Sequence, residues 1–198
     1  MNYFIPGRIV NRFSSRSNKE IVIRYPNWTD LESLTAYLNS ISEEDTFVYY
    51  AKRFISKEAV IGHLENIFKD IELGNKLYLV AEYEEKIIGN CHIDIDTGKE
   101  TRGIHVGKLG ISINHAYRQE GIGTALFEQV RHELPDMMPS IKILMLEVFE
   151  SNIIAQNLYK KIGFIETGRI PKGILYNNIY MDEIIMCMTL EKSMHLQI

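Results

Sequence analysis

Apolar residues recur along this chain with two periods, and each change of period marks an element. Leu31, Leu34, Tyr37, Leu38 and Ile41 share one helical face, with Thr29 or Asp30 placed to cap it. Ala59, Val60, His63, Leu64, Ile67, Phe68 and Ile71 repeat that spacing over residues 56–73, and Gly74-Asn75 closes the run as a C-cap. Residues 21–25 alternate weakly and stop at Pro26, which reads as a first strand. Lys76–Tyr83 and Lys86–Ile95 flank Glu84-Glu85 and predict a hairpin. Residues 98–103 read as a loop, and residues 104–113 as a fourth strand in which Gly107 and Gly110 suit a bulge.

Downstream, residues 118–124 form a glycine-bearing loop. It opens a helix with Ile122, Leu126, Phe127, Val130 and Leu134 inward, expected to end before Pro135. Residues 141–149 are almost continuously apolar, as a buried central strand requires. A helix from Asn152 ends at Gly163. Residues 164–168 and 179–190 supply the last two strands, linked through Pro171-Lys172-Gly173 and a turn at Asn177-Asn178. The expectation is one α/β domain: a mixed, mostly antiparallel sheet of six or seven strands with helices on both faces. The fourth and fifth strands run parallel, with the glycine-loop helix as their crossover.

A length of 198 residues suits one domain. Its boundary is set at residues 21–198, after a polar, basic extension, residues 1–20, in which Ile9, Val10 and Phe13 can add a short strand. A net charge of −4 gives no footprint for nucleic acid. No run approaches the roughly 20 apolar residues of a membrane span. Pro6, Gly7 and Arg8 stand where a secretion signal would be apolar, so the cytoplasm is the expected compartment. Cys91 and Cys187 lie in apolar runs and read as free thiols. Composition leaves the oligomeric state open, a homodimer included.

The chemistry concentrates in two segments. The first is Arg118-Gln119-Glu120-Gly121-Ile122-Gly123-Thr124. A helix entrance carries N–H groups without intrahelical partners and the positive end of the dipole, so it suits an anion. Gly121 and Gly123 let a phosphate approach those amides. No Lys follows Gly123, which removes a P-loop. The second segment is a helix with Asn152 at its start and Tyr159 two turns later, preceded by Leu146-Glu147-Val148. Asn152 is a natural N-cap, and Tyr159 can equally be a packed core residue.

Together these segments resemble the GNAT superfamily of acyl-CoA-dependent N-acetyltransferases. The pattern Arg/Gln-x-x-Gly-x-Gly/Ala is filled by Arg118, Gly121 and Gly123. It is followed by Leu146-Glu147-Val148 and by Asn152, Ala155, Leu158-Tyr159, Lys161 and Gly163-Phe164. The resemblance spans roughly residues 20 to 190, with its sharp motifs between Leu109 and Phe164. It implies acetyl-CoA as co-substrate, no metal, and a primary amine as acceptor: an amino acid, a polyamine or a protein N-terminus.

It also implies site residues. Residues 118–124 take the pyrophosphate. Ile111, Ser112 and Ile113 pair with pantetheine through their backbone, where the fourth and fifth strands splay apart. Asn152 contacts the cofactor arm. Tyr159 protonates the departing thiolate, and Glu147 either takes the amine's proton or binds the acceptor. A non-catalytic CoA-binding sensor or interaction protein on the same fold is the competing reading. Asp182 and Glu183 can attract a cationic acceptor or be an acidic turn edge, and the histidines lack metal-ligand spacing.

Overall fold

The computed structural model describes residues 4–44, 52–95 and 100–190. The elements are β1 (Ile9–Ser14), β2 (Glu20–Arg24), α1 (Leu31–Glu43), α2 (Lys57–Glu72), β3 (Lys76–Tyr83), β4 (Lys86–Ile95), α3 (Glu100–Gly103), β5 (Val106–Ile113), α4 (Ile122–Met137), β6 (Ile143–Phe149), α5 (Ile153–Lys161), β7 (Ile165–Tyr176) and β8 (Ile179–Thr189). The class is α/β and the β-structure is mixed and mostly antiparallel, with eight strands among the described residues instead of six or seven. The chain packs as two compact units, Met1–Asp94 with Gly110–Pro139 and Ile95–Leu109 with Ser140–Ile198. Strand β5 passes from the second into the first.

In the first unit the strand order is β1-β2-β3-β4-β5. The β3–β4 hairpin closes through Glu84 and Glu85, both at positive φ (48° and 61°), so the turn follows the twist of its strands although neither residue is glycine. Helix α2 starts at Ser56, whose side chain accepts from the Ala59 N–H, and ends in a Schellman motif. Gly74 sits at φ +71° with its N–H on the Ile71 carbonyl, and the Asn75 N–H reaches the Asp70 carbonyl.

Alternation on β3 separates two faces. Leu77 to Ala81 are all buried, so both faces are covered. Helix α4 packs against β2 and β3. On it the buried Glu133 accepts from the Tyr25 hydroxyl at 2.9 Å and pairs with Arg8. The other face carries Tyr78, Asn90 and His92, which α1 and α2 meet. Tyr37 of α1 donates to Asn90 Oδ1 at 2.9 Å, and His63 of α2 lies edge-on to Tyr78. His92 stacks on Tyr78 with centroids 5.7 Å apart and planes at 12°. Gly110 leaves the room for that ring, since a Cβ there would lie 2.4 Å from it.

In the second unit the order is β5-β6-β8-β7. The parallel β5–β6 ladder pairs Val106, Gly107 and Lys108 with Ile143, Leu144 and Met145, and ends there. Strands β7 and β8 meet through Asn177 and Asn178, both at positive φ (49° and 60°).

Several boundaries differ from the sequence reading, β6 among them, which begins at Ile143 and not at residue 141. Helix α4 continues past Pro135 to Met137; in a last turn the proline forfeits one hydrogen bond and the helix ends soon after. Strand β7 runs through Pro171-Lys172-Gly173, with a register shift between Ile170 and Ile174, because an edge strand tolerates proline at a bulge. Strand β5 begins at Val106, two residues after the expected start. The expected loop ends in the single turn of α3; its first residues, 98 and 99, lie outside the described ones.

The His92 environment generates a pH prediction. Burial holds its imidazole down at about 4, with Asp94 opposing and Lys76 and His63 reinforcing the shift. His63 is lowered by burial too. An unfolded histidine titrates near 6.5, roughly. Below that value the unfolded chain binds more protons than the native one, so stability falls as pH drops from neutrality toward 4. The urea midpoint should decline across that window, and less steeply in His92→Gln. Equal declines in both proteins would contradict the assignment.

Candidate active site

The first unit holds the glycine loop and the second half of β5. The chain leaves β5 through a 3-10 turn, His115–Tyr117, capped by Asn114, whose side chain accepts from the Ala116 N–H at 3.0 Å. Arg118, itself exposed, folds back over the end of β5. Its Nε donates to the Ile113 carbonyl at 2.9 Å and its Nη2 pairs with Glu44. Glu44, just past α1, also accepts the His115 backbone N–H at 2.9 Å. The Arg118 guanidinium therefore fastens the start of the loop to β5 and α1, and what it offers an anion directly is its backbone.

Gln119 at φ +63° and Gly121 at φ +88° reverse the chain into α4. Gly121 is the N-cap, no side chain caps the helix among the described residues, and the Gly121 carbonyl takes the Ala125 N–H at 3.0 Å. Ile122, Gly123 and Thr124 are thus the first-turn residues whose N–H groups lack intrahelical acceptors. The Ile122 side chain is buried and anchors the turn. A Cβ on Gly121 would meet no atom within 4 Å, so its backbone angle, not crowding, calls for glycine.

Ile111, Ser112 and Ile113 are half-buried on β5. The Asn114 N–H bonds the Ile88 carbonyl of β4, and the Ser112 carbonyl would lie 3.1 Å from a Cβ on Gly89 of β4. Even-numbered backbone groups therefore face β4. By the period of two, Ile111 and Ile113 aim their N–H and C=O groups away from it. Ser112 is held by its own side chain, which donates to Asn90 Oδ1 at 2.7 Å, while Tyr37 Oη lies 3.0 Å from its carbonyl. This Tyr37–Asn90–Ser112 cluster was not legible in the sequence, since its members are polar residues on three separate elements.

The second unit holds Glu147, Asn152 and Tyr159. Glu147 alternates with the buried Leu146 and Val148 on β6. Its Oε2 accepts from Lys108 Nζ of β5 at 2.6 Å, with the glutamate side chain 22% exposed and the lysine 50%. Asn152 caps α5: its Oδ1 accepts the Ala155 N–H at 3.2 Å. That cap uses the side-chain oxygen, and the amide nitrogen takes no part in it. Tyr159 is buried, with its ring 5.9 Å from Phe164. Gln156, which sequence reasoning passed over, fixes the turn between β6 and α5. Its buried Nε2 donates to the Phe149 and Glu150 carbonyls at 3.2 and 2.8 Å. Asp182, Glu150 and Glu166 surround Arg169, so the acidic edge carries its own cation.

Comparison with known proteins agrees with these motifs. The model of the acetyltransferase (GNAT) family matches residues 29–164. An L-amino acid N-acetyltransferase, AaaT, of Escherichia coli is 32% identical over 54% of this chain and 65% of its own length. The chain thus spans just under two thirds of that relative. An N-alpha-acetyltransferase of Sulfurisphaera tokodaii is 28% identical over 77% of this chain and 84% of its own. Among solved structures, a GNAT-family acetyltransferase from Streptococcus pneumoniae superposes with TM-score 0.77 at 26% identity, covering 86% of this chain and 99% of its own. RimL, a ribosomal L7/L12 alpha-N-protein acetyltransferase in complex with coenzyme A, shares the fold with TM-score 0.75 at 11% identity, over 92% of this chain and 98% of its own.

The left-handed Gly121 generates a stability prediction. A β-branched side chain at that φ costs about 1–2 kcal/mol without any clash. Gly121→Val should lower the free energy of unfolding by that amount in urea titration. An unchanged midpoint would show that the loop reaches α4 by another route.

Proposed function

Because the chain belongs to the acetyltransferase (GNAT) family, we propose that it transfers the acetyl group of acetyl-CoA to a primary amine by direct attack in a ternary complex. The carrying observation is the entrance of α4, where left-handed Gln119 and Gly121 present the Ile122, Gly123 and Thr124 amides without a capping side chain. A diphosphate matches such an array of donors. Coenzyme A in the RimL complex supports the same ligand class.

In this reading Ile111 offers its outward N–H and C=O groups, and Ile113 its outward N–H, to the amides of pantetheine, while the Ile113 carbonyl stays with Arg118; β5 backbone polarises the thioester carbonyl. The amine nitrogen bonds to the acetyl carbon and the carbon–sulfur bond breaks. Glu147, directly or through a water, takes the proton that the attacking nitrogen loses. Lys108 holds that carboxylate in place and gives it up when the amine enters. Tyr159 delivers a proton to the departing thiolate, and its burial against Phe164 keeps the phenol in one position. Asn152 keeps α5 in register by capping it. The acceptors considered are an amino acid, a polyamine and a protein N-terminus. The names of the Escherichia coli and Sulfurisphaera relatives favour an α-amine, as a free amino acid or at a chain terminus.

The test is thiol release from acetyl-CoA with a panel of amino acids, polyamines and short peptides, with mass detection of the product. Acetylated amine and free thiol should appear together. With the best acceptor, Tyr159→Phe should retain acetyl-CoA affinity and lose roughly 10²-fold in turnover. Glu147→Gln should lose most at low pH if the carboxylate is the base. Tight CoA binding without turnover for any amine would favour the sensor.

A further inference from the structure

Residues 15–19 join β1 to β2 and precede the segment that matches the family. They form a compact turn: the Ser15 N–H bonds the Lys19 carbonyl at 2.8 Å, the Asn18 N–H bonds the Ser15 carbonyl at 3.0 Å, and Asn18 is left-handed at φ +60°. This turn grips the glycine loop within the first unit. Arg16 Nη1 donates to the Gln119 carbonyl at 2.9 Å, and the Arg16 N–H to the Glu120 carbonyl at 3.3 Å. The Ser17 N–H donates to Glu120 Oε2 at 2.9 Å, and Lys19 Nζ lies 3.5 Å from Glu120 Oε1.

These contacts have a directional consequence. A trans peptide points its N–H opposite its C=O. Holding the Gln119 and Glu120 carbonyls toward the β1–β2 turn therefore aims the Glu120 and Gly121 N–H groups away from it. Two donors join those of Ile122, Gly123 and Thr124. The same contacts deal with an awkward charge. A carboxylate within the loop opposes an anion, and Glu120 is kept turned to Ser17 and Lys19. Those hydrogen bonds, from Ser17 first and then Ser15, with the Lys19 charge, hold it ionised down to about pH 2. A left-handed non-glycine residue such as Gln119 also needs an external hold, and Arg16 supplies it.

We propose that the turn of residues 15–19 is a positioning clamp, in which Arg16 acts through the Gln119 and Glu120 carbonyls to set the affinity of the glycine loop for the diphosphate of coenzyme A. The proposal rests on the acetyl-CoA reading above. Arg16 is exposed, so its replacement leaves the fold intact, and this is checked by melting without ligand.

The experiment measures CoA affinity by calorimetry and backbone amide exchange by NMR on wild type, Arg16→Ala and Arg16→Lys. Lys57→Ala, on an exposed ion pair elsewhere, is the control. Arg16→Ala should bind CoA roughly tenfold more weakly, the scale of one hydrogen bond to a charged group. Its unliganded Glu120 amide, which shares a peptide with the Gln119 carbonyl that the guanidinium holds, should exchange faster. Arg16→Lys, which can still reach the Gln119 carbonyl, should recover part of both, and Lys57→Ala should match wild type. Wild-type affinity in folded Arg16→Ala would overturn the clamp. Weaker binding with unchanged exchange would overturn it too, by pointing to direct contact with phosphate. A wild-type chain that binds no CoA would sink the functional reading and the clamp with it.

Discussion

The constraint on which the functional reading depends is that an α-helix cannot satisfy its own first amides. Helix α4 is long, packs its apolar face on β2 and β3, and buries Ile122, Leu126, Phe127, Val130 and Leu134. Its position is thus settled by the core, and so is the position of its unsatisfied entrance. A side-chain cap would ordinarily occupy such an entrance. Gly121 has no side chain to offer, and its positive φ turns the chain away without filling the space. The residues before it serve this geometry: Arg118 is fastened to Ile113 and Glu44, and Gln119 and Glu120 are held from residues 16 to 19.

The same economy shows around Glu147 and Tyr159. Glu147 is placed by strand alternation alone, between two buried apolar neighbours, and Lys108 on the paired strand meets it. Tyr159 is placed by a helix of only nine residues. Such a helix gains little from its own hydrogen bonds, so its ends matter. Asn152 caps the start, Gln156 ties the first turn to the end of β6, and Gly163 at φ +108° closes it. Each of these polar contacts holds backbone in place.

Much of this was legible in the sequence because it is local. Helical spacing gave the buried faces of α1, α2 and α4, and the turns at Glu84-Glu85 and Asn177-Asn178 fell where the pattern broke. The glycine loop and the Glu147, Asn152 and Tyr159 positions came from motifs within one stretch of chain. The misses are of two kinds. Pro135 and Pro171 were read as breaks, yet each sits where the chain can spare an N–H: a last helical turn and a bulged edge strand. The others are long-range contacts. Ser17 meets Glu120 across 103 positions, Glu44 meets Arg118 across 74, and Tyr37 meets Ser112 across 75. No local pattern marks these pairs, because a surface serine or glutamate looks the same whether it holds a loop or faces water.

The central claim is that the amides at the entrance of α4 bind the diphosphate of the acetyl donor. It is tested most directly by backbone NMR during titration with coenzyme A. The largest shifts should fall on the N–H groups of Gly121, Ile122, Gly123 and Thr124, and pantetheine, which lacks the diphosphate, should leave them nearly unmoved. Coenzyme A that binds while those four amides stay in place would contradict the account.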